Sequence, residues 1–179
     1  IAPFSFVSSS MPFLSLPNSI SEIGVCAFYA AAISSLEIQG RIECVWTQAF
    51  STSSIISLRF AGGVKEIANL AFANSNLQEI YLSEGLEIIG ESAFAGSSLQ
   101  EIYLPEGIRL IGMRAFADSS LQKIYLPEGL EIIGDYAFAG SDLREVRIPA
   151  GMKVTGAGVF QNCRNLRKVV WTRGDGGVH

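Results

Sequence analysis

The chain has 179 residues, 49% of them hydrophobic, with 13 lysines and arginines against 17 aspartates and glutamates for a net charge of -4. That length serves one sizeable domain in which nearly every segment buries something. The acidic balance argues against nucleic acid, which demands a dense basic stripe, and the longest apolar run, Val25 to Ile33, is too short to insert into a bilayer.

From the N-terminus onward one interval organises the chain. Phenylalanine stands at Phe6, Phe28, Phe50, Phe72, Phe94, Phe116, Phe138 and Phe160, each 22 residues after the last. Such a period marks a repeat array. A partial copy covers Ile1 to Ser10. Full units follow at Met11 to Ala32, Ile33 to Ser54, Ile55 to Asn76, Leu77 to Ser98, Leu99 to Ser120, Leu121 to Asp142 and Leu143 to Asn165, the last one residue longer. A partial copy and tail occupy Leu166 to His179.

Each unit divides in the same way. In LQEIYL (Leu99 to Leu104) apolar and polar residues alternate, as in a half-buried strand. A turn follows, with Pro105 and Pro127 closing their strands and Gly85, Gly107 and Gly129 free to take unusual φ. LEIIG (Leu86 to Gly90) predicts a second short strand, and ESAFAGSS a tight turn or single helical turn with Phe94 inward. No stretch keeps helical periodicity beyond one or two turns, so long helices are not expected.

An isolated unit cannot be stable. Each ordered residue costs about 1–2 kcal/mol of backbone entropy, against about six apolar side chains returning roughly 1.5–3 kcal/mol apiece. Stacked units bury both faces of every coil, so the array folds as a one-dimensional solid. The phenylalanines should then be buried, each touching its equivalent in the adjacent coils. Coils at the two ends would present unpaired strand edges, which predicts end-to-end association or fraying of Ile1 to Ser10. Because the sequence starts and stops inside a repeat, it reads as a segment of a longer protein, with any signal peptide absent or already removed.

Groups suited to catalysis do not converge in this pattern. The one histidine is His179, the last residue, so no triad or histidine metal site forms around it. Cys26, Cys44 and Cys163 lack metal or redox spacing and read as small buried hydrophobes. Gly156-Ala-Gly158 lacks the third glycine of a phosphate loop, and Glu87 and Glu131 repeat with the coil like a solvated ridge. Neither an enzyme, a cofactor nor a metal is expected. The late basic residues, Arg144 to Arg173, are a solvated face before they are an anion patch.

The pattern L-x-x-I-x-L-P-x-G/S-[LIV]-x-x-I-G-x-x-A-F runs from about Met11 to Trp171, with its best copies at LSLPNSISEIGVCAF (Leu14 to Phe28) and IYLPEGLEIIGDYAF (Ile124 to Phe138). It resembles the BspA-like, or Treponema-type, leucine-rich repeats. That family's common unit has 23 residues and a cysteine three places after the phenylalanine, which only Cys163 matches here; the shorter units should tighten one corner without changing the coil. Ile33 to Ser54 departs further, with Trp46 in the glycine position and Arg41 at the turn. The resemblance implies a curved, right-handed leucine-rich solenoid with parallel sheets and short turns or 3-10 segments. It also implies a cell-surface or secreted adhesin or binding module of bacteria and protists, docking partners on the concave sheet.

On that sheet the outward rows would be Ser15, Glu37, Arg59, Tyr81, Tyr103, Tyr125, Arg147 and Val170, beside Phe13, Ser35, Ser57, Glu79, Glu101, Lys123, Glu145 and Lys168. The candidate binding strip takes Tyr81, Tyr103 and Tyr125 in the middle, Arg59 and Arg147 at the margins, and Glu79, Glu101, Lys123 and Glu145 alongside. Tyrosine offers a large rigid contact at low entropy cost, although stacked tyrosines also simply support a sheet. The expected partner is another protein or a surface glycan. The alternative is a structural spacer whose faces other chains cover. Arg173-Gly174-Asp175 adds a possible integrin-type motif in the tail.

Overall fold

In a computed structural model, which describes residues 1–172, the chain winds as a parallel-strand solenoid of about seven turns with no helix among them. The first strand of each unit forms one face: β1 (Ser10–Leu16), β3 (Ala32–Ile38), β5 (Ser57–Phe60), β7 (Glu79–Leu82), β9 (Glu101–Tyr103), β11 (Lys123–Tyr125), β13 (Glu145–Ile148) and β15 (Lys168–Trp171). The second strands, β2 (Glu22–Ile23), β4 (Ile42–Val45), β6 (Val64–Ile67), β8 (Ile88–Ile89), β10 (Leu110–Ile111), β12 (Ile132–Ile133) and β14 (Val154–Thr155), make one continuous seven-stranded parallel sheet. Register follows the repeat, with Leu36 opposite Leu58 and Leu58 opposite Ile80. Between β13 and β15 it steps by one more residue, Val146 opposite Val169, which absorbs the longer last unit.

The third side of each coil is a run of turns. Phe28, Phe50, Phe72, Phe94, Phe116 and Phe138 are fully buried there, and all eight repeat phenylalanines stack at ring-centroid distances from 4.9 to 5.7 Å, within 10° of parallel. Those centroid spacings belong to offset stacks. Of the two expected forms, a tight turn or a single helical turn, the structure has the tight turn, closed by bonds such as Ala73 N–H to Leu70 O at 3.0 Å, with no 3-10 segment among the described residues. Residues two before and two after each phenylalanine are left-handed, among them Leu70 (φ 59°), Asn74 (54°), Arg114 (54°) and Tyr136 (56°). Left-handed φ is costly for such side chains, and it persists because it aims alternate N–H groups at the next coil. Leu70, Phe72 and Asn74 donate to the carbonyls of Glu91, Ala93 and Ala95 at 2.9, 2.7 and 2.8 Å, so the buried backbone is satisfied.

Three residues past the phenylalanine lies a buried polar column. Ser53, Ser75 and Ser119 donate Oγ–H to the phenylalanine carbonyl of their own turn at 2.7, 2.8 and 2.7 Å. The serine closes the corner in these three units, while Ala31 holds the place in the first full unit, the buried Ser97 hydroxyl has no partner among the described residues, and Ser141 meets Cys163 at 3.5 Å. In the longer unit Cys163 takes the place, half-buried, and its thiol donates to Phe138 O of the preceding coil at 3.0 Å.

Glycine serves two purposes here. Gly85 does take positive φ (109°), whereas Gly107 and Gly129, also expected to, do not. Gly129 is required instead by close approach, since a Cβ there would lie 2.7 Å from Glu106 O. The unit with Trp46 keeps the coil, and its β3 has seven residues, as long as any strand in the chain. Ile1 to Ser10 is tied down by Phe4, Phe6 and Ser8, which donate to Val25, Ala27 and Tyr29.

Candidate functional site

The outward rows have the expected register. Glu37, Arg59 and Tyr81 stand side by side across β3, β5 and β7, and Tyr103 opposes Tyr125 across β9 and β11. Ser57 opposes Glu79, and Glu101 opposes Lys123. Tyr81, Tyr103 and Tyr125 expose 55%, 62% and 50% of their surface. Arg59, Glu79, Lys123, Glu145 and Arg147 are exposed too, and Glu101 is half-exposed. Val170, at the end of the tyrosine row, is buried, so the row stops at Arg147. Arg173, Gly174 and Asp175 lie outside the described residues.

This face is not one sheet. It divides into β1-β3-β5-β7, β9-β11 and β13-β15, with no ladder joining β7 to β9 or β11 to β13. Proline accounts for part of that. Where Gln39 and Ala61 follow their strands, each donates to the coil before it, to Leu16 O and Ile38 O at 3.0 and 2.9 Å. Pro105, Pro127 and Pro149 hold the same place and have no N–H to give. β9 and β11 stay paired even so, with the exposed Tyr103 and Tyr125 rings stacked 4.5 Å apart across them.

A cleft opens at each break. The first, of about 450 Å³, is lined by Gln78, Glu79, Ile80, Tyr81, Leu82, Gln100, Glu101 and Tyr103. The second, of about 600 Å³, is lined by Gln122, Lys123, Ile124, Tyr125, Leu126, Arg144, Glu145 and Arg147. At their floors Ile80, Leu82 and Leu126 are half-buried, while Leu58 and Ile148 in the paired coils are fully buried. Gln78, Gln100, Gln122 and Arg144 enter the site without having been candidates. They occupy the second position of the repeated L-Q-E-I-Y-L, one column beside the glutamates, and that alignment is the signal for them.

The clefts carry opposite charge. The first has two carboxylates and no cation in its lining. Tyr103 Oη donates to Glu101 Oε1 at 2.9 Å and Tyr81 Oη more loosely to Glu79 Oε2 at 3.5 Å. That bond to Glu101, with the neighbouring Tyr125 phenol as a lesser cause, pushes the Tyr103 phenol up to about 12, so it remains a donor at neutral pH. In the second cleft Lys123 faces Glu101 at 4.0 Å and Glu145 faces Lys168 at 3.6 Å. Arg144 and Arg147 have no carboxylate within that distance among the described residues. All these pairs are solvent-exposed and add little stability.

Among the described residues no three His, Cys, Asp or Glu side chains come together to hold a metal. The Cys44 thiol, buried and flanked by Glu66 and Glu22, is pushed up to about 11 and is no nucleophile at neutral pH. No described helix is long and apolar enough to cross a membrane.

No curated protein matches the sequence. Among solved structures the solenoid is similar to a leucine rich cell surface protein from Faecalibacterium prausnitzii A2-165, with 20% identity and a TM-score of 0.76 over 95% of this chain and 54% of that one. A leucine-rich repeat protein from Bacteroides ovatus ATCC 8483 superimposes with a TM-score of 0.54 at 19% identity, over 90% of this chain and 64% of that one. The chain thus spans less than two thirds of either. The family described as the BspA type leucine rich repeat region matches in six copies, over residues 1–122 and 87–174. With the period, the stacked phenylalanines and the parallel coils, that match shows the chain to belong to the BspA type leucine rich repeat family.

Proposed function

We propose that the chain is a non-catalytic binding module that docks another protein or a surface glycan on the tyrosine-bearing face, at a cell surface or in a secreted protein. One observation carries this reading: the three exposed tyrosines lie at the two places where an otherwise regular sheet opens into clefts. Exposed tyrosine beside arginine is the side-chain pairing that dominates many interfaces. A face serving only as a stacked ladder would keep its strands paired throughout, and here Tyr81 stands outside the stack that joins Tyr103 to Tyr125. The surface location is supported by the name of the Faecalibacterium neighbour.

The test is the variant with Tyr81, Tyr103 and Tyr125 all replaced by alanine. These side chains leave the core untouched, so binding to cells or a captured partner should fall at least tenfold while melting stays within a few degrees. A variant that binds like the parent and melts many degrees lower would make the row a supporting ladder.

A further inference from the structure

Resting on that reading, we propose that the face selects a protein segment in polyproline II conformation, with a basic residue seated in the Glu79/Glu101 cleft and an acidic residue three positions away in the Arg144/Arg147 cleft.

Charge complementarity commits the first cleft to a cation. Two carboxylates and two phenol rings line it. A guanidinium there meets Glu79 and Glu101 through charge-assisted hydrogen bonds, while the Tyr81 and Tyr103 rings offer π faces that attract a cation. The second cleft has the reverse character: Lys123, which reaches Glu101 only at 4.0 Å, Arg144 and Arg147 outnumber Glu145, which faces Lys168 at 3.6 Å. Arg144 and Arg147 are left to meet a carboxylate with planar, forked donors.

Spacing selects the backbone. The clefts lie two coils apart, and parallel strands about 4.8 Å apart place their centres about 10 Å from each other. In an extended strand, residues three apart cover about 10 Å but point to opposite faces. A polyproline II helix rises about 3.1 Å per residue with three residues per turn, so residues three apart lie on one face about 9.3 Å from each other. The surface between the clefts is the stacked Tyr103 and Tyr125 pair, an aromatic ridge of the kind on which proline rings dock. A neutral glycan uses the ridge but leaves both charged clefts unanswered, which is why the observations favour a peptide.

The experiment titrates three fluorescent peptides into the 179-residue chain: acetyl-Pro-Arg-Pro-Pro-Glu-Pro-amide, the same peptide with glutamine at both charged positions, and one with arginine and glutamate two positions apart. The first should bind at least tenfold more tightly than either control and weaken as salt is raised, since exposed charges are screened. Glu79→Lys with Glu101→Lys should reverse the preference toward a peptide carrying glutamate at both sites. These residues are exposed, so unchanged melting confirms the fold of the variant. Equal affinity for the glutamine peptide would overturn the charge assignment while leaving the tyrosine face a binding surface. So would failure of all three peptides while the tyrosine triple variant still abolishes cell binding. Failure of the peptides together with an unaffected triple variant would remove both readings.

Discussion

Phe116→Ala tests the solenoid core most directly. The ring is wholly buried and stacked between Phe94, 5.1 Å away, and Phe138, 5.4 Å away. Losing its burial removes about 2–3 kcal/mol, and each stacked pair adds about 0.5–1.5 kcal/mol. The sum, about 3–6 kcal/mol, overlaps the range of about 3–5 kcal/mol seen for truncating core aromatics. Phe160 supplies the control: it is half-buried at the end of the column, with one stacked neighbour among the described residues, and Phe160→Ala should cost about half as much. Urea denaturation followed by far-ultraviolet circular dichroism gives both values. Because nearest-neighbour contacts carry a repeat array, hydrogen exchange should show the Phe116→Ala opening confined to Leu77 to Asp142, the unit of Phe116 and its two neighbours. A loss under about 1 kcal/mol for Phe116, or equal losses at the two positions, would refute a core built from one continuous column.

Gly112→Ala places a Cβ 2.7 Å from the carbonyl carbon of Gly90; overpacking of that kind should cost about 1–3 kcal/mol, read from the urea midpoint, and no change would mean the corner gives freely. The Cys44 thiol, raised from 9.0 to about 11 by burial first and by Glu66 and Glu22 next, should resist maleimide at pH 8. A raised folded value means its stabilising effect is complete below about 9 and disappears as pH climbs toward 11, which a melting series across that window will register; rapid labelling of Cys44 in the folded chain at pH 8 would contradict this. Pro105→Ala, which copies Ala61 two units earlier, whose N–H donates to Ile38 O at 2.9 Å, returns a donor for Leu82 O and should lengthen β9 and protect the amide of residue 105 from exchange. An amide there that exchanges like a free loop would show that proline is not what parts β7 from β9.

The sequence made the coil legible because the core is written in a column that allows no substitution of shape. Phe94 recurs at Phe116 and Phe138, and alternation in LQEIYL specifies which residues face it. The turn arc was legible only in part. Asn74, Gly96, Asp118 and Gly140, two places after their phenylalanines, do carry the signature of a left-handed residue, but Leu70, Arg114 and Tyr136, two places before, hold the same conformation without it. What enforces it is the hydrogen bonding of the next coil, a long-range effect. Gly129 misled in the opposite sense, because a glycine required for close approach looks the same in a sequence as one required for φ. Within the site, the exposed rows could be aligned from the period alone. The breaks could not, since they depend on how prolines, tyrosine stacking and strand pairing balance across neighbouring coils.

That balance also shows where binding specificity can reside in an array of near-copies. Identical units would give identical coils, a uniform sheet and no preferred place for a ligand. The three copies Leu77 to Gly85, Leu99 to Gly107 and Leu121 to Gly129 share their tyrosine, and differ by Ser83 against Pro105 and Pro127 and by Glu79 and Glu101 against Lys123. The fourth position of the row brings Arg147 in place of tyrosine, Arg144 in place of glutamine and Pro149 after the strand. Each of these departures falls on the tyrosine-bearing face, while the second sheet runs unbroken through all seven of its strands. The unbroken sheet and the phenylalanine column hold the coils at constant spacing. Against that rigid backing, a missing N–H at Pro105 or Pro149 opens a cleft instead of shifting the whole coil, and Lys123 in the glutamate column together with Arg144 and Arg147 gives the second cleft the opposite sign. A ligand is then recognised by the order of the departures along the axis, negative cleft, tyrosine pair, positive cleft, and the repeat itself serves as the ruler that spaces them.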